Sequence, residues 1–428
     1  MNNMYNTARV ADGKYSSRIE QGVLGDLRNK ITKSVTDMLL NMQSPTDEEV
    51  MRLIGDTVGN FCEGRNYSGP IQARLVKEVF QRIRRLDVLQ DFLDDDTVSE
   101  IMVNGLDEIY VERGGRIVRT GVRFESRDRL LNIIGQIASG VNRSVNLSNP
   151  ILDARLADGS RVNIVLEPIA INGPILTIRR FPKAPLDAKA LIESESVTEE
   201  VLELLSKLVA AGYNILISGG TGSGKTTMLN CLSEYIPKDA RIITIEDSAE
   251  LKIRGISNLV RLETRNALSD NSNQITIRDL IKCALRMRPD RIIVGETRGD
   301  EAIDMLQAFS VGQDGSLSTI HANSAKDALS RLETMVMLGT DIPIHALRRQ
   351  IASGVDIIVH LERMRDKRRH VCEVLEVTGM SDGEIRTNTL YEFKEYKSIT
   401  DSNKVEGTLE KVNELSNTGK LLRAGIEI

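Results

Sequence analysis

The sequence predicts an α/β protein in which a helical leader and a small α+β domain precede a larger domain with a mostly parallel sheet. Before residue 93, apolar residues recur every three to four positions, as they do along the buried face of a helix. From about residue 97, short apolar runs separated by Gly-containing turns are typical of an antiparallel sheet. Beyond residue 214, strand-like and helix-like runs alternate, which implies a parallel sheet covered on both faces.

Residues 1–95 form the predicted helical leader. Its pattern starts near residue 17 and includes Val23 and Leu27, which are four positions apart. Further helical patterns cover residues 47–62 and 70–93. We find no candidate chemistry in this segment.

Residues 96–182 form the predicted α+β domain. Gly114-Gly115 indicates a hairpin turn, and a helix is expected at 126–142. The predicted strands are Ser99–Asn104, Glu108–Glu112, Arg116–Phe124, Ala154–Leu156, Val162–Leu166 and Ile175–Phe181. The next stretch, residues 183–198, contains a proline and an acidic run and is predicted to be an interdomain linker.

Residues 199–395 form the predicted domain with the parallel sheet. The strand-like runs are Asn214–Ser218, Arg241–Glu246, Arg291–Val294, Ser316–Ile320 and a hairpin of Asp356–Leu361 with Val371–Val377. The helix-like runs start at Lys225 and cover 276–288, 300–310 and 324–337. Residues 396–428 are predicted to be a polar tail with one amphipathic helix near 407–423.

The composition excludes several classes of protein. The 428 residues contain no apolar run near the roughly 18 residues of a membrane-spanning helix, and the first residues lack the apolar stretch of a signal peptide. The 56 basic and 61 acidic residues give a net charge of −5, and aromatic residues make up only 4% of the chain. We therefore expect a cytoplasmic protein without a nucleic-acid partner, since a basic arm and a base-stacking surface are both missing.

A phosphate-binding loop is the strongest functional motif. The segment NILISGGTGSGKTT places an apolar strand, the pattern G-x-x-x-x-G-K-T and a helix in the order that such a loop requires. A dinucleotide-binding turn is the alternative, but its third glycine would have to lie one residue later. Backbone amides of the loop would bind phosphates, Lys225 would supply positive charge, and Thr226 would bind Mg²⁺. The predicted nucleotide-binding residues are Gly219, Gly220, Thr221, Gly222, Ser223, Gly224, Lys225, Thr226 and Thr227.

Two acids and a histidine follow later strands, at the sheet edge where α/β proteins bind ligands. Glu296 is the candidate catalytic carboxylate that orients or deprotonates the attacking water. Because Gly295 stands where an acid is usual, Glu246 is the best candidate for a second acid, and Thr226, Glu246 and Glu296 are the predicted metal contacts. His321 would sense the γ-phosphate. Each acid taken alone could instead be a helix cap or an ion-pair partner.

Four segments together resemble the Walker A motif, the Asp box, an atypical Walker B motif and the His box of type II/IV secretion-system ATPases. They read GGTGSGKTT, ITIEDSAEL, RMRPDRIIVGETRGDEA and GQDGSLSTIHANS. The upstream segments SEIMVNGLDEIYVERGGRI and LDARLADGSRVNIV resemble the CpaF-like ATPases of the tight-adherence (Tad) pilus branch. The resemblance implies a RecA-like P-loop ATPase domain behind a PAS-like α+β domain. It also implies a homo-oligomeric ring, usually a hexamer.

The resemblance further implies ATP and Mg²⁺ as cofactors, with the nucleotide bound between the two domains. ATP-driven domain rotation would work polytopic membrane platform proteins, which places the chain at the cytoplasmic face of the cell membrane for pilus assembly or protein secretion. Lys225, Glu246, Glu296 and His321 take the roles given above. The family also binds nucleotide through arginines, and the candidates here are Arg155, Arg161, Arg179, Arg180, Arg261 and Arg265. Each of these could equally be an ordinary strand arginine.

Three points stay open in the sequence. Gln313 stands where the family's His box more often has a histidine, which leaves His321 alone there. A RecA-like nucleic-acid translocase or helicase is one alternative function, and a nucleotide-gated scaffold with weak hydrolysis is another. The basic run RMRDKRRH, residues 363–370, is interpreted as a solvated hairpin tip or as a contact for anionic lipid or an acidic partner loop.

Overall fold

A computed structural model describes most of the chain and divides it into two units. The described residues are 23–42, 44–64, 67–141, 143–156, 158–181, 186–265, 274–310, 312, 314–396 and 405–427. The units are Met1–Pro182 and Lys183–Ile428. No helix among these described residues is both long enough and apolar enough to cross a membrane.

The first unit begins with helices that build a core of their own. They are α1 (residues 23–39), α2 (Asp47–Cys62), α3 (Gly69–Arg84), a 3-10 turn (Asp87–Leu89) and α4 (Gln90–Asp94). Thr46 and Glu49 cap the start of α2 reciprocally, which satisfies backbone N–H groups that lack partners inside the helix. Ile31, Val35 and Ile54 are fully buried in this core. The predicted helical residues 17–22 lie outside the described part of the chain.

The predicted helix at 70–93 is corrected by the structure. The helix α3 ends at Arg84, and a 3-10 turn and the short α4 follow. Arg85 has φ and ψ values of −131° and −171°, which are those of extended backbone, so the helix ends before it.

The rest of the first unit is an antiparallel sheet of six strands with one helix packed on it. The elements are β1 (Val98–Asn104), β2 (Glu108–Arg113), β3 (Arg116–Arg119), α5 (Arg127–Gly140), β4 (Ile151–Arg155), β5 (Arg161–Val165) and β6 (Ile175–Arg179). The strand order is β3-β2-β1-β6-β5-β4, and every pair is antiparallel. Ile101 and Val103 share a core with Ile133 and Ile134 of α5.

The second unit is built on a sheet of nine strands. Its helices are α6 (Ala188–Glu193), α7 (Glu199–Ala211), α8 (Lys225–Ser233), α9 (Ile277–Ala284), α10 (Ala302–Ser310), α11 (Ala325–Gly339), α12 (Ile344–Gly354) and α13 (Gly419–Ala424). Its strands are β7 (Ile215–Gly219), β8 (Ile242–Glu246), β9 (Leu259–Glu263), β10 (Arg291–Thr297), β11 (Leu317–His321), β12 (Ile357–Arg363), β13 (Arg369–Ser381), β14 (Glu384–Glu395) and β15 (Gly407–Lys411).

The order of these strands is β15-β14-β13-β12-β7-β11-β10-β8-β9. The six strands from β12 to β9 are parallel, and β13 to β15 extend the sheet as an antiparallel meander. Successive residues of β7 enter different cores, because Ile215 and Ile217 face one cluster while Leu216 faces the other. Helices therefore cover both faces of the sheet, and the predicted α/β fold class is confirmed.

The structure corrects two segments at the ends of the second unit. Most of the predicted linker, residues 183–198, is folded, since α6 lies within it and buries Leu191 in the same core as α7. The predicted helix near 407–423 is instead strand β15 followed by the short α13. The tail adds β15 to the sheet, and its Leu421 is buried, with 1% of the residue exposed.

Candidate active site

The predicted phosphate loop joins the central strand β7 to the helix α8, and all nine of its predicted residues lie in this one segment. Its glycines are required by geometry. Gly222 and Gly224 have φ values of +71° and +100°, in the left-handed region that side chains rarely adopt. A Cβ atom on Gly219 would lie 2.2 Å from the carbonyl oxygen of Leu361 on β12. The loop can therefore curl in this way only with glycine at these positions.

Lys225 begins α8 and is 8% exposed. Its Nζ donates to the carbonyl oxygens of Gly219 and Gly220, at 3.0 and 2.9 Å, and lies 3.3 Å from Nδ1 of His321. The ammonium group is thus held over the loop at the start of a helix, where backbone N–H groups attract anions.

His321 connects Lys225 to the candidate catalytic acid. It ends β11, pairs with Gly219 of β7, and places Nε2 2.6 Å from Oε1 of Glu296. Burial and the nearby Lys225 lower the pKa of His321 below its ordinary value, so the ring is neutral at pH 7. An ammonium group can only donate, so Nδ1 must accept from Lys225 and the ring proton must lie on Nε2, the ring nitrogen nearer to the carboxylate.

Glu296 lies near the end of β10, with Arg298 bound to one carboxylate oxygen and His321 close to the other, although Oε1 has no hydrogen-bond partner among the described residues. Its Oε2 accepts from Nη2 of Arg298 at 2.6 Å, and Nη1 of Arg298 lies 3.6 Å from Asp247. A continuous polar chain therefore joins Lys225 to Arg298 through the histidine and the glutamate. The sequence reasoning assigned no role to Arg298, although its place two residues after Glu296 near the end of a strand is a signal that could have found it.

Glu246 ends β8 and is 3% exposed. Its Oε1 accepts from the backbone N–H groups of Glu250 and Leu251 at 2.7 and 2.8 Å. Among the described residues, its buried Oε2 has no hydrogen-bond partner. Burial raises the pKa of this carboxyl to about 7, although the two backbone N–H groups act in the opposite direction.

Gly295 explains how Glu246 reaches this position. The strands β8 and β10 are neighbours, and a Cβ atom on Gly295 would lie 2.9 Å from Cγ of Glu246. The missing side chain of residue 295 is therefore the space that the Glu246 side chain fills. The second acid of this site comes from the next strand rather than from β10 itself.

The predicted metal contacts fit a shared Mg²⁺ better than a site made by protein alone. Within the described residues, no group of three or more His, Cys, Asp or Glu could hold a metal ion. Mg²⁺ is commonly held by one or two carboxylates together with substrate phosphates and water. Thr226 at the start of α8 and the buried, unpaired oxygen of Glu246 are donors of the right chemistry.

Three of the four arginines predicted in the first unit lie on one face of its sheet, and the fourth points to the other face. Arg155, Arg161 and Arg179 lie directly opposite one another on β4, β5 and β6, so their side chains share one face of the sheet. Arg180 follows Arg179 and therefore points to the other face, where its guanidinium donates to the carbonyl oxygens of residues 95 and 98. Arg180 is therefore bonded within its own unit, and its contact with nucleotide stays a prediction.

The two arginines predicted after the Asp box lie on the outermost parallel strand or beside it. Arg261 of β9 donates to the carbonyl oxygen of Leu251, which belongs to the loop that holds Glu246. Arg265 forms a backbone bridge with Ile275 just beyond the strand. The residue Gln313 of the His box lies outside the described residues.

The run 363–370, which we call the basic hairpin, is a hairpin tip in which residues 365, 367 and 369 are exposed, and one of these residues also contacts the phosphate loop. It joins β12 to β13 beside β7, and Nε of Arg369 donates to the carbonyl oxygen of Gly222 at 2.8 Å. Neither of the two interpretations made from the sequence included this contact with the phosphate loop. Only the sheet order brings these residues together, since they are 147 positions apart.

Comparisons with known proteins identify the family of this chain. A family model described as "Type II/IV secretion system protein" matches residues 84–418. The conjugal transfer protein TrbB of Rhizobium radiobacter is 34% identical over 308 residues, which are 71% of this chain and 91% of TrbB. The type IV secretion system protein PtlH of Bordetella pertussis is 33% identical over 321 residues, covering 69% of this chain and 95% of PtlH.

A solved structure supports the fold. The X-ray structure of the ATPase DotB from Yersinia pseudotuberculosis matches with a TM-score of 0.50 and 20% identity, over 68% of this chain and 78% of DotB.

Proposed function

This chain belongs to the type II/IV secretion system protein family, and we propose that it is a motor ATPase that hydrolyses ATP to drive pilus assembly or protein secretion. The observation that carries the proposal is the polar chain from Lys225 through His321 to Glu296, because it links the phosphate loop directly to a carboxylate. Within the family we propose the Tad pilus branch, on the N-terminal segments quoted above.

Lys225 would exchange its partners when a triphosphate binds. Its present acceptors are two carbonyl oxygens and a neutral imidazole, and phosphate oxygens are stronger acceptors because they carry charge. Once Lys225 turns to the phosphates, Nδ1 of His321 loses its donor. Binding of the γ-phosphate would in this way change the environment of Glu296 through the side chain of His321.

Glu296 would then orient the attacking water and accept its proton. A hydrogen bond from Arg298 holds its Oε2, and its Oε1 lies 2.6 Å from Nε2 of His321, so the carboxylate already has a defined direction. Mg²⁺, when bound, would neutralise charge on the phosphates, and Thr226 and Glu246 would hold it. The position of Glu246 over Gly295 favours hydrolysis over the scaffold alternative, whose support was the missing acid at residue 295.

The other parts of the proposal concern assembly and location. We propose a homo-oligomeric ring, hexameric as in the family resemblance, that acts on polytopic platform proteins from the cytoplasmic face of the membrane. The row of Arg155, Arg161 and Arg179 remains the candidate of the first unit for nucleotide contact. Light scattering with and without ATP would test the ring.

The variant Glu296→Gln tests the central assignment. It should bind a fluorescent ATP analogue as tightly as wild type, since the amide keeps the shape, and should release no phosphate above background. Glu203→Gln is a matched control, because Glu203 forms a surface pair with Lys207 on α7. This variant should hydrolyse ATP at the wild-type rate.

Wild-type turnover by the Glu296→Gln variant would show that the carboxylate is wrongly assigned. Negligible turnover by wild-type protein in ring-sized fractions would favour the scaffold. A rate that rises on addition of DNA or RNA at low salt would favour a nucleic-acid translocase.

A further inference from the structure

The arginines of the basic hairpin serve two different purposes. Arg365 pairs with Glu395, with Nη1 and Oε2 2.9 Å apart. Arg368 donates to Asp366 at 2.8 Å and to Glu195 at 2.6 Å. These two arginines are bound to acids within the second unit.

Arg363 and Arg369 instead lie against the phosphate loop. They are direct partners across β12 and β13. The Nε of Arg369 donates to the carbonyl oxygen of Gly222, and its Cδ lies 3.3 Å from where a Cβ would stand on Gly224. Nη1 of Arg363 lies 3.8 Å from the corresponding position on Gly222. Two guanidinium groups therefore border the middle of the loop.

The contact with Gly222 has a mechanical consequence. Gly222 has a φ of +71°, so the loop is curled at this residue. A curled loop binds phosphate because its successive N–H groups converge, and this convergence is lost if the chain straightens. The Nε–H group of Arg369 binds the carbonyl oxygen of Gly222 and so fixes the orientation of this peptide group within the curl.

The remaining donors of Arg369 have an electrostatic consequence. A guanidinium has five N–H donors in a fixed plane, so one can bind a carbonyl while the terminal ones bind an anion. The side chain is exposed, and its terminal nitrogens are therefore accessible to a ligand. Two further positive charges beside the loop would also attract phosphate over several ångströms.

We propose that Arg369 is a positioning residue of the nucleotide site, which fixes the curl at Gly222 and contacts a phosphate of the bound nucleotide, while Arg363 adds a second positive charge. The proposal rests on the proposed function, because it requires that the loop binds a nucleoside di- or triphosphate. It adds the basic hairpin to a site for which the sequence motifs indicate only strand ends and the loop.

Binding of a fluorescent ADP analogue to the full-length chain tests the proposal without any turnover. Arg369→Gln should raise the Kd about 10- to 100-fold, the range expected when a hydrogen bond to a charged group is lost. Arg363→Gln should raise it by a smaller factor. Arg365→Gln removes one positive charge from the same hairpin and should bind within about twofold of wild type.

Two further measurements separate positioning from a merely structural role. Arg369→Lys keeps the charge but has no Nε–H group in a planar fork, so its Kd should still rise several-fold. The Kd of wild type should also increase more steeply with salt than that of Arg369→Gln, because the variant makes one contact less with phosphate.

Equal Kd values for Arg369→Gln and Arg365→Gln would overturn the proposal. If Arg369→Gln has a much lower Tm than Arg365→Gln in the absence of nucleotide, its weaker binding could result from unfolding, and Arg369→Lys is then the variant to compare with wild type. A Kd of Arg369→Lys equal to that of wild type would overturn the positioning role. Failure of wild-type protein to bind the analogue would refute the proposed function instead, so the two failures are distinguishable.

Discussion

Replacing Gly295 by alanine should disrupt the site through Glu246. The backbone of Gly295 lies outside the left-handed region, so alanine meets no conformational barrier there. The new Cβ would stand 2.9 Å from Cγ of Glu246 and 3.5 Å from its Oε1, and the Glu246 side chain has to move. A moved carboxyl leaves the backbone N–H groups of Glu250 and Leu251 without their acceptor.

The size of the effect follows from these contacts. Each hydrogen bond to a charged or partly charged group contributes about 1–2 kcal/mol, and crowding in a filled interior costs about 1 kcal/mol or more. The two hydrogen bonds and the crowding together predict that Gly295→Ala loses roughly 3–5 kcal/mol of unfolding free energy. For a unit of the size of Lys183–Ile428, this corresponds to a fall in Tm of roughly 6–20 °C.

A double-mutant cycle with Glu246→Ala measures this coupling by thermal unfolding without nucleotide. In the Glu246→Ala background the space is empty, so Gly295→Ala should be neutral or slightly stabilising. Gly419→Ala is the control, because a Cβ there meets nothing within 4 Å. If Gly295→Ala lowers Tm equally in both backgrounds, Glu246 does not occupy the space that the glycine leaves.

Two other predictions concern stability of the second unit. Glu246→Gln should change its pH dependence: burial raises the folded pKa to about 7 from 4.5, so the carboxyl contributes stability below about pH 4.5 that is lost as pH rises through 7, roughly 3 kcal/mol in all. Urea midpoints measured between pH 4.5 and 7.5 should show that the wild type loses stability relative to the Glu246→Gln variant as the pH rises. A difference between the two proteins that does not change with pH would contradict the prediction. Asn214→Ala should lose about 4 kcal/mol, because the buried amide donates to Phe309 and Gly354 and accepts from the N–H groups of residues 315 and 316. A urea midpoint within error of wild type would contradict this role.

The elements around the phosphate loop were predictable because their signals are local. An apolar run, a glycine pattern and a helix start all lie within Asn214–Thr227, and glycine conformational freedom acts on single residues. The alternation of strands and helices predicted the parallel sheet for the same reason. By contrast, β9, β14 and β15 were missed. Strands β9 and β15 are short edge strands, and the longer β14 contains many polar residues, so none of the three has a distinct apolar pattern.

The arginines show where local reasoning was incomplete. Side chains alternate along a strand, so consecutive residues such as Arg179 and Arg180 must point to opposite faces of the sheet. This difference could have been predicted from the sequence. The residues that lie opposite Arg179 on β5 and β4 could not have been predicted in this way, because they depend on the register of the strands. Register depends on the packing of the whole sheet face.

By itself the sequence determined the kind of chemistry: a loop shaped by glycines, a lysine at its helix, and acids and a histidine at strand ends. Only the tertiary structure decided which of these groups touch. The order of strands in the sheet places Glu246 over Gly295, joins His321 to both Lys225 and Glu296, and brings Arg369 to Gly222. Conformational preference acts within a few residues, whereas charges and hydrogen bonds act through space between neighbouring strands.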